Sequence, residues 1–156
     1  MIKTNAMRLL ETAKIPFHAM EYEVEESDLS GVHVAEQLGE PVEQVFKTLV
    51  LRGSRLGYLV CCIPVAEELD LKKVAKAAGE KHVEMLPLKE LLPVTGYIRG
   101  GCSPIGMKKR FPTYIEETAI LFEEIAVSAG ARGVQIFLNP EDLIRYTGAE
   151  TADLTV

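Results

Sequence analysis

Val45-Phe46-Lys47-Thr48-Leu49-Val50-Leu51 is short, apolar and rich in branched residues, and Gly53 follows closely. That pattern predicts a buried β-strand. Side chains alternate along a strand, so Val45, Lys47, Leu49 and Leu51 share one face. A lysine on an apolar face needs an explanation, because taking an ammonium out of water is costly. The stem can lie on the core while the head reaches solvent, or the head can point into a pocket that wants a cation. The strand alone leaves both readings open.

Working outward, Gly53-Ser54-Arg55 reads as a hairpin turn into a second apolar strand over 56–64, antiparallel to the first. Asp70 caps a helix over 71–78 that Gly79 closes, with Lys72, Lys73 and Lys76 on its outer face. A short strand is expected over 82–85, and Pro87 opens a helical stretch that Pro93 stops. Upstream, Thr4 or Asn5 caps a helix over 4–14, with Met7, Leu10 and the Lys14 stem on its apolar side. Pro16 ends it, and a strand over 17–24 follows, with His18, Met20, Tyr22 and Val24 on one face. Ser30 caps a helix over 32–38 that Gly39 closes. Downstream, strands are expected over 113–116, 120–122, 125–128 and 134–138. Asn139 then caps a last helix with Pro140 at its first position. Mixed strands and helices with several hairpins indicate an α+β fold rather than a doubly wound sheet.

The chain has 156 residues, enough for one domain spanning 1–156 with a sizeable core. Hydrophobic residues make up 47% and charged residues 26%, which is ordinary for a globular protein. No apolar run approaches the roughly 20 residues that span a bilayer. Met1 to Asn5 lacks a signal-peptide apolar core, so a cytoplasmic protein is expected. Cys61 and Cys62 are strand neighbours facing opposite ways, so they are small core hydrophobes rather than a metal-ligand pair. Cys102 lies in a glycine-rich loop and stays open. No metal or cofactor is expected.

Net charge is −6, so the surface as a whole is not a nucleic-acid footprint. Glu21, Glu23, Glu25, Glu26 and Asp28 crowd one segment. Arg99, Lys108, Lys109 and Arg110 form a basic run that is either a solvated face or, beside a pocket, suited to an RNA end or a phosphate. Near it, Gly96-Tyr97-Ile98-Arg99-Gly100-Gly101-Cys102-Ser103-Pro104-Ile105-Gly106 matches neither a dinucleotide fingerprint nor a Walker loop. Its glycines let a backbone approach a ligand and offer N–H donors, or they make a plain turn. Tyr22 is either a core aromatic with its hydroxyl at the rim or a pocket residue. His18 reads as structural.

Several stretches together resemble one family. Thr4-Asn5-Ala6, Ile15-Pro16-Phe17, Val45-Phe46-Lys47-Thr48-Leu49, Thr95-Gly96-Tyr97, Gly100-Gly101-Cys102-Ser103-Pro104-Ile105-Gly106, Lys108-Lys109 and Ser128-Ala129-Gly130-Ala131-Arg132-Gly133 occur in that order. They look like the YbaK family of Cys-tRNA(Pro) deacylases, in the superfamily of prolyl-tRNA synthetase-associated editing domains. The resemblance covers nearly the whole chain. It implies a mixed, barrel-like sheet surrounded by helices, and a freestanding enzyme that removes a wrong amino acid from tRNA. It also implies mischarged tRNA as substrate and prolyl-tRNA synthetase as a partner. By that resemblance Lys47 is the functional lysine, Gly100 and Gly101 face the substrate carbonyl, and Tyr22, Ser128 and Asp142 line the pocket. Thr48 and Ser103 flank these positions. Around Tyr22 some relatives carry histidine and aspartate where this chain has Glu21, Glu23 and Val24, which bears on amino-acid preference.

Cleaving an aminoacyl ester needs a nucleophile, stabilisation of the carbonyl oxygen and a proton for the leaving hydroxyl. The motifs hold no Ser-His-Asp or Cys-His arrangement. The resemblance implies a substrate-assisted route in which the thiol of the mischarged cysteine attacks its own carbonyl. Backbone N–H groups at Gly100 and Gly101 are expected to receive the oxyanion, and Lys47 to orient the substrate. A deacylase for another small amino acid such as alanine, or a non-catalytic module binding tRNA ends or nucleotides, remain the alternatives.

Overall fold

The computed structural model describes residues 3–156. Met1 and Ile2, which belong to the segment read for a signal peptide, lie outside the described residues. The chain runs α1 (Asn5–Thr12), β1 (Phe17–Glu21), α2 (Gly31–Leu38), β2 (Phe46–Gly53), β3 (Gly57–Pro64), α3 (Leu71–Ala78) and β4 (Val83–Met85). A 3-10 turn over Leu88–Glu90 leads into α4 (Leu91–Thr95), then β5 (Thr113–Glu116), β6 (Ile125–Ser128), β7 (Val134–Leu138), α5 (Pro140–Thr147) and β8 (Glu150–Ala152). The mixed α+β class is as expected.

Local chemistry sets these boundaries. Thr4, Ser30, Asp70 and Asn139 each accept a backbone N–H at a helix start, and Gly39, Gly79 and Gly148 end their helices left-handed. Lys14 falls outside α1 with a φ of 59°, so its stem does not extend the apolar side of that helix. Pro93 does not stop a helix; it occupies the first turn of α4, where its missing N–H has no intrahelical acceptor to lose. The strand expected over 120–122 is instead a 3-10 turn, Glu117–Leu121, whose first turn is fixed by Thr118 N–H donating to Glu116 at 3.0 Å. Its Ile120 and Leu121 are largely exposed, and the turn buries Ala119 instead.

The strands form two sheets, one three-stranded in the order β1-β7-β6 and one five-stranded in the order β4-β2-β3-β5-β8. β2 and β3 are antiparallel with Phe46 opposite Pro64 and Gly53 opposite Gly57. The sheets are not closed into a barrel, contrary to the expectation. Val45 and Ala126 form one parallel bridge between β2 and β6, and pairing goes no further. The reason lies on β2: its outer edge is taken by β4 only at Leu51–Gly53, so a gap opens between β4 and β6.

Side-chain alternation assigns the faces. Phe46, Val60, Cys62 and Ile115 face a core shared with α1, α5 and the small sheet, while Leu51, Leu59, Cys61 and Ile63 face α3. Cys61 and Cys62 thus point opposite ways, as the sequence predicts, and burial pushes both thiols up, Cys62 to about 12. The β2–β3 turn is held from outside. Glu80 is buried and its carboxylate accepts N–H bonds from Leu56 at 2.7 Å and Arg55 at 3.0 Å. These bonds hold its pKa below the ordinary value. A depressed carboxylate stabilises the fold above its unfolded pKa and loses that contribution as pH falls through its folded pKa. Glu80→Gln should therefore lower the melting temperature at pH 7, with the gap to wild type closing in acid; a pH series of thermal melts reads this out.

Candidate active site

The gap in the sheet is a cavity. Even-numbered residues of β2 turn their main-chain groups away from β3: the Gln44 carbonyl accepts Ala126 N–H at 2.8 Å, and the Val50 carbonyl accepts Leu86 N–H at 3.0 Å. Thr48 lies between these two attachment points, so its N–H and C=O face the gap. The cavity there measures about 410 Å³, within the range of small-molecule sites. β2 contributes Lys47 and Thr48, the small sheet Ser128 and Gln135, α2 Val34, and the glycine loop Arg99, Gly100 and Cys102.

Lys47 is half-buried and, among the described residues, its ammonium makes no hydrogen bond or ion pair. Burial pulls its pKa below the ordinary lysine value, against the opposing fields of Glu68 and Glu67. No Asp or Glu lines the cavity, and Arg99 adds a second cation. The site therefore offers positive charge and donors to whatever enters.

The glycine loop forms part of the cavity wall. Gly100 has a φ of 86°, and a Cβ there would sit 3.2 Å from Arg132 Nε. Arg132 donates from that nitrogen to the Arg99 carbonyl at 2.8 Å, tying the loop to the turn after β6. Gly101 is set back from the cavity. Its N–H donates to the Ile98 carbonyl at 3.0 Å, closing a turn, so it is not available to an oxyanion as expected. The N–H groups of Gly100 and Cys102 make no backbone hydrogen bond among the described residues, and both residues line the cavity.

The remaining expected residues divide. Thr48 and Ser128 are in the cavity, and the Ser128 hydroxyl accepts Gly130 N–H at 3.1 Å. Tyr22 lines a narrow crevice next to it, sharing Leu29, Val34 and Gly100 with the cavity wall. Ser103 is fully buried behind the loop, its hydroxyl accepting Ile105 N–H at 3.2 Å, and it serves the turn. Asp142 lies in the first turn of α5, paired with Arg145, and does not line the cavity. The basic run is divided too: Arg99 lines the cavity, whereas Lys109 and Arg110 line a separate crevice of about 180 Å³. His18 stacks on Phe137 at 4.8 Å, a structural role. Sequence reasoning missed Gln135 and Arg132. The first is the polar residue in the otherwise apolar strand over 134–138, which is the signal that could have found it.

Cys102 lines the cavity, but burial pushes its thiol up to about 12. At neutral pH it is a thiol, a poor nucleophile. Among the described residues no helix is long and apolar enough to cross a membrane.

The chain is similar to several known proteins. The family model for the aminoacyl-tRNA editing domain matches residues 29–146. The Enterococcus faecalis protein EbsC, assigned as a Cys-tRNA(Pro)/Cys-tRNA(Cys) deacylase, is 54% identical over 98% of this chain and 93% of its own length. A crystal structure of a protein assigned as a trans-editing enzyme for prolyl-tRNA synthetase superposes with a TM-score of 0.85, at 26% identity, over 100% of this chain and 99% of that one. A proline–tRNA ligase of Thermosipho africanus is 32% identical over 49% of this chain, a match spanning 13% of that enzyme. By both the sequence family and the fold, the chain belongs to the aminoacyl-tRNA editing domain family.

Proposed function

We propose that the protein is a trans-editing deacylase that removes cysteine mischarged onto tRNA(Pro), with the substrate's own thiol as nucleophile. The observation that supports this best is a half-buried ammonium without a hydrogen bond or ion pair among the described residues, in one cavity with the unbonded main-chain N–H groups of Gly100 and Cys102 and a cysteine thiol held protonated. Such a site stabilises charge and fixes geometry.

The substrate thiol ionises, and its sulfur attacks the ester carbonyl carbon. The N–H groups of Gly100 and Cys102 receive the carbonyl oxygen as it becomes negative. Collapse breaks the bond to the ribose oxygen, which takes up a proton, and leaves cysteine as its four-membered thiolactone. Water then opens the thiolactone to free cysteine. Lys47 holds the ribose or phosphate oxygens of the tRNA end in register, and Tyr22 and Ser128 shape the cavity walls. Prolyl-tRNA synthetase, as the source of mischarged tRNA(Pro), is the expected partner, and the cytoplasm the expected place.

A deacylation assay with purified protein and Cys-, Ala- and Pro-charged tRNA(Pro) tests the reading. Cysteine should be released fastest, and proline should be spared. Equal or faster release of alanine would reassign the substrate; no release above the uncatalysed rate would leave only a binding module. Cys102→Ala should keep most of the activity, because a thiol held protonated at neutral pH contributes no attack. Complete loss in that variant would point to an enzyme-borne nucleophile.

A further inference from the structure

Among the described residues, one buried side-chain oxygen or nitrogen has no hydrogen-bond partner: Oε1 of Gln135. The residue is 6% exposed and lines the cavity. Leaving a buried acceptor without a donor corresponds to roughly a ten- to hundredfold loss in an equilibrium constant, so such a group calls for an explanation. Its position supplies one. Gln135 is the cross-strand partner of Ser128 on one side and of Met20 on the other, so it stands mid-sheet beside Ser128. Its strand neighbours Val134 and Ile136 point to the opposite face, into the main core.

We infer that the Gln135 side-chain amide is a specificity-determining group that accepts a hydrogen bond from the α-amino group of the bound aminoacyl ester. The charged groups lining the cavity, Lys47 and Arg99, are both donors, and the main-chain N–H groups of the glycine loop are donors as well. These suit the carbonyl, ribose and phosphate oxygens of an aminoacyl-tRNA end. The α-amino group is that ligand's strongest donor, and no carboxylate lines the cavity to receive it. The hydroxyls of Ser30, Thr48 and Ser128 and the Thr48 carbonyl are neutral acceptors as well, but the Gln135 oxygen is, among the described residues, the buried side-chain acceptor that has no partner. Among the described residues no hydrogen bond restrains the amide, so rotation about its last torsion can turn the oxygen to an entering donor. A neutral acceptor also fits its surroundings: a carboxylate here would pair with Lys47 or Arg99 and cancel the charge the site presents.

This inference rests on the editing reading for the class of ligand, and a binding measurement separates the two. The probes are 3′-cysteinylamido-3′-deoxyadenosine, which cannot be deacylated, and its counterpart lacking the amine, the 3-mercaptopropanoyl amide. Calorimetry on the wild-type protein should show the amine-bearing probe binding about ten- to a hundredfold more tightly. Gln135→Met, close in volume but without an acceptor, should bind both probes alike. Gln135→Asn retains a neutral amide acceptor and should keep more of the preference than Gln135→Met, which guards against a Gln135→Met variant that fails to fold. A wild-type protein indifferent to the amine, or a Gln135→Met variant that keeps the full preference, would overturn the inference. A protein that prefers the amine yet does not deacylate Cys-tRNA(Pro) would defeat the deacylase reading and leave the amine contact standing.

Discussion

Lys47→Ala should lower kcat/KM for Cys-tRNA(Pro) by at least about a hundredfold while leaving the melting temperature unchanged or raised. The loss follows from removing the cation that the cavity presents, since a preorganised charged donor in such a site is worth roughly 10²–10³ in rate. The stability forecast follows from burial. The ammonium is half-buried and makes no hydrogen bond or ion pair among the described residues, so deleting it strands no partner and relieves a desolvation cost. A lysine serving the fold behaves the opposite way. Lys47→Met separates stem from charge: it keeps the apolar packing and should be as inactive as the alanine variant. Single-turnover deacylation and thermal melts on the same preparations decide between these outcomes.

Gly100→Ala should cost a comparable factor by a different route. At a φ of 86° a side chain strains the backbone, and its Cβ would press on Arg132 Nε at 3.2 Å. Relief requires the loop to move or Arg132 to release the Arg99 carbonyl. Either change displaces the Gly100 N–H from the cavity wall, and under the proposed mechanism misplacing one oxyanion donor costs on the order of 10²–10³ in kcat. The effect should fall on kcat more than on KM, because that donor matters most when the oxygen carries charge. A variant that folds and turns over normally would remove the glycine loop from the chemistry.

The contrast between these residues and Gly101 or Asp142 explains what the sequence could and could not reveal. A charge interrupting an apolar period marks Lys47 as a residue to explain, but periodicity leaves a snorkelling stem and a pocket cation both open, and the resemblance decides between them. The glycine loop reads either as a close backbone approach or as a plain turn until the resemblance is added. Which N–H in it is free was not legible, since Gly101 spends its donor on Ile98, a matter of turn geometry rather than composition. Ser103 and Asp142 stand near site residues in the chain but not in the cavity, because β-strands bring distant segments together while a turn or a helix carries its neighbours away.

The helices were the most legible elements, since Ser30, Asp70 and Asn139 cap them and glycines end them by short-range rules. Ile120 and Leu121 misled because three apolar residues in a row fit a strand as well as a turn left in solvent. β8 has no pattern of its own. It forms by pairing Glu150–Ala152 with β5, a contact between elements far apart in sequence. The barrel expected from the resemblance fails for a related reason: closure depends on how far β2 and β6 stay paired, and they separate after Val45 and Ala126. That separation makes the cavity, so the departure from a closed sheet and the existence of the site are one fact.

In the proposed reaction the ligand brings the nucleophile and the protein brings charge and geometry. Comparing deacylation of Cys-tRNA(Pro) with that of the same tRNA carrying S-methylcysteine tests it most directly, because the methyl group blocks the sulfur and changes little else. Blocking the sulfur should abolish enzymatic release, a loss of more than about a hundredfold. Release of S-methylcysteine at the rate of cysteine would contradict it and place the nucleophile on the protein or on water.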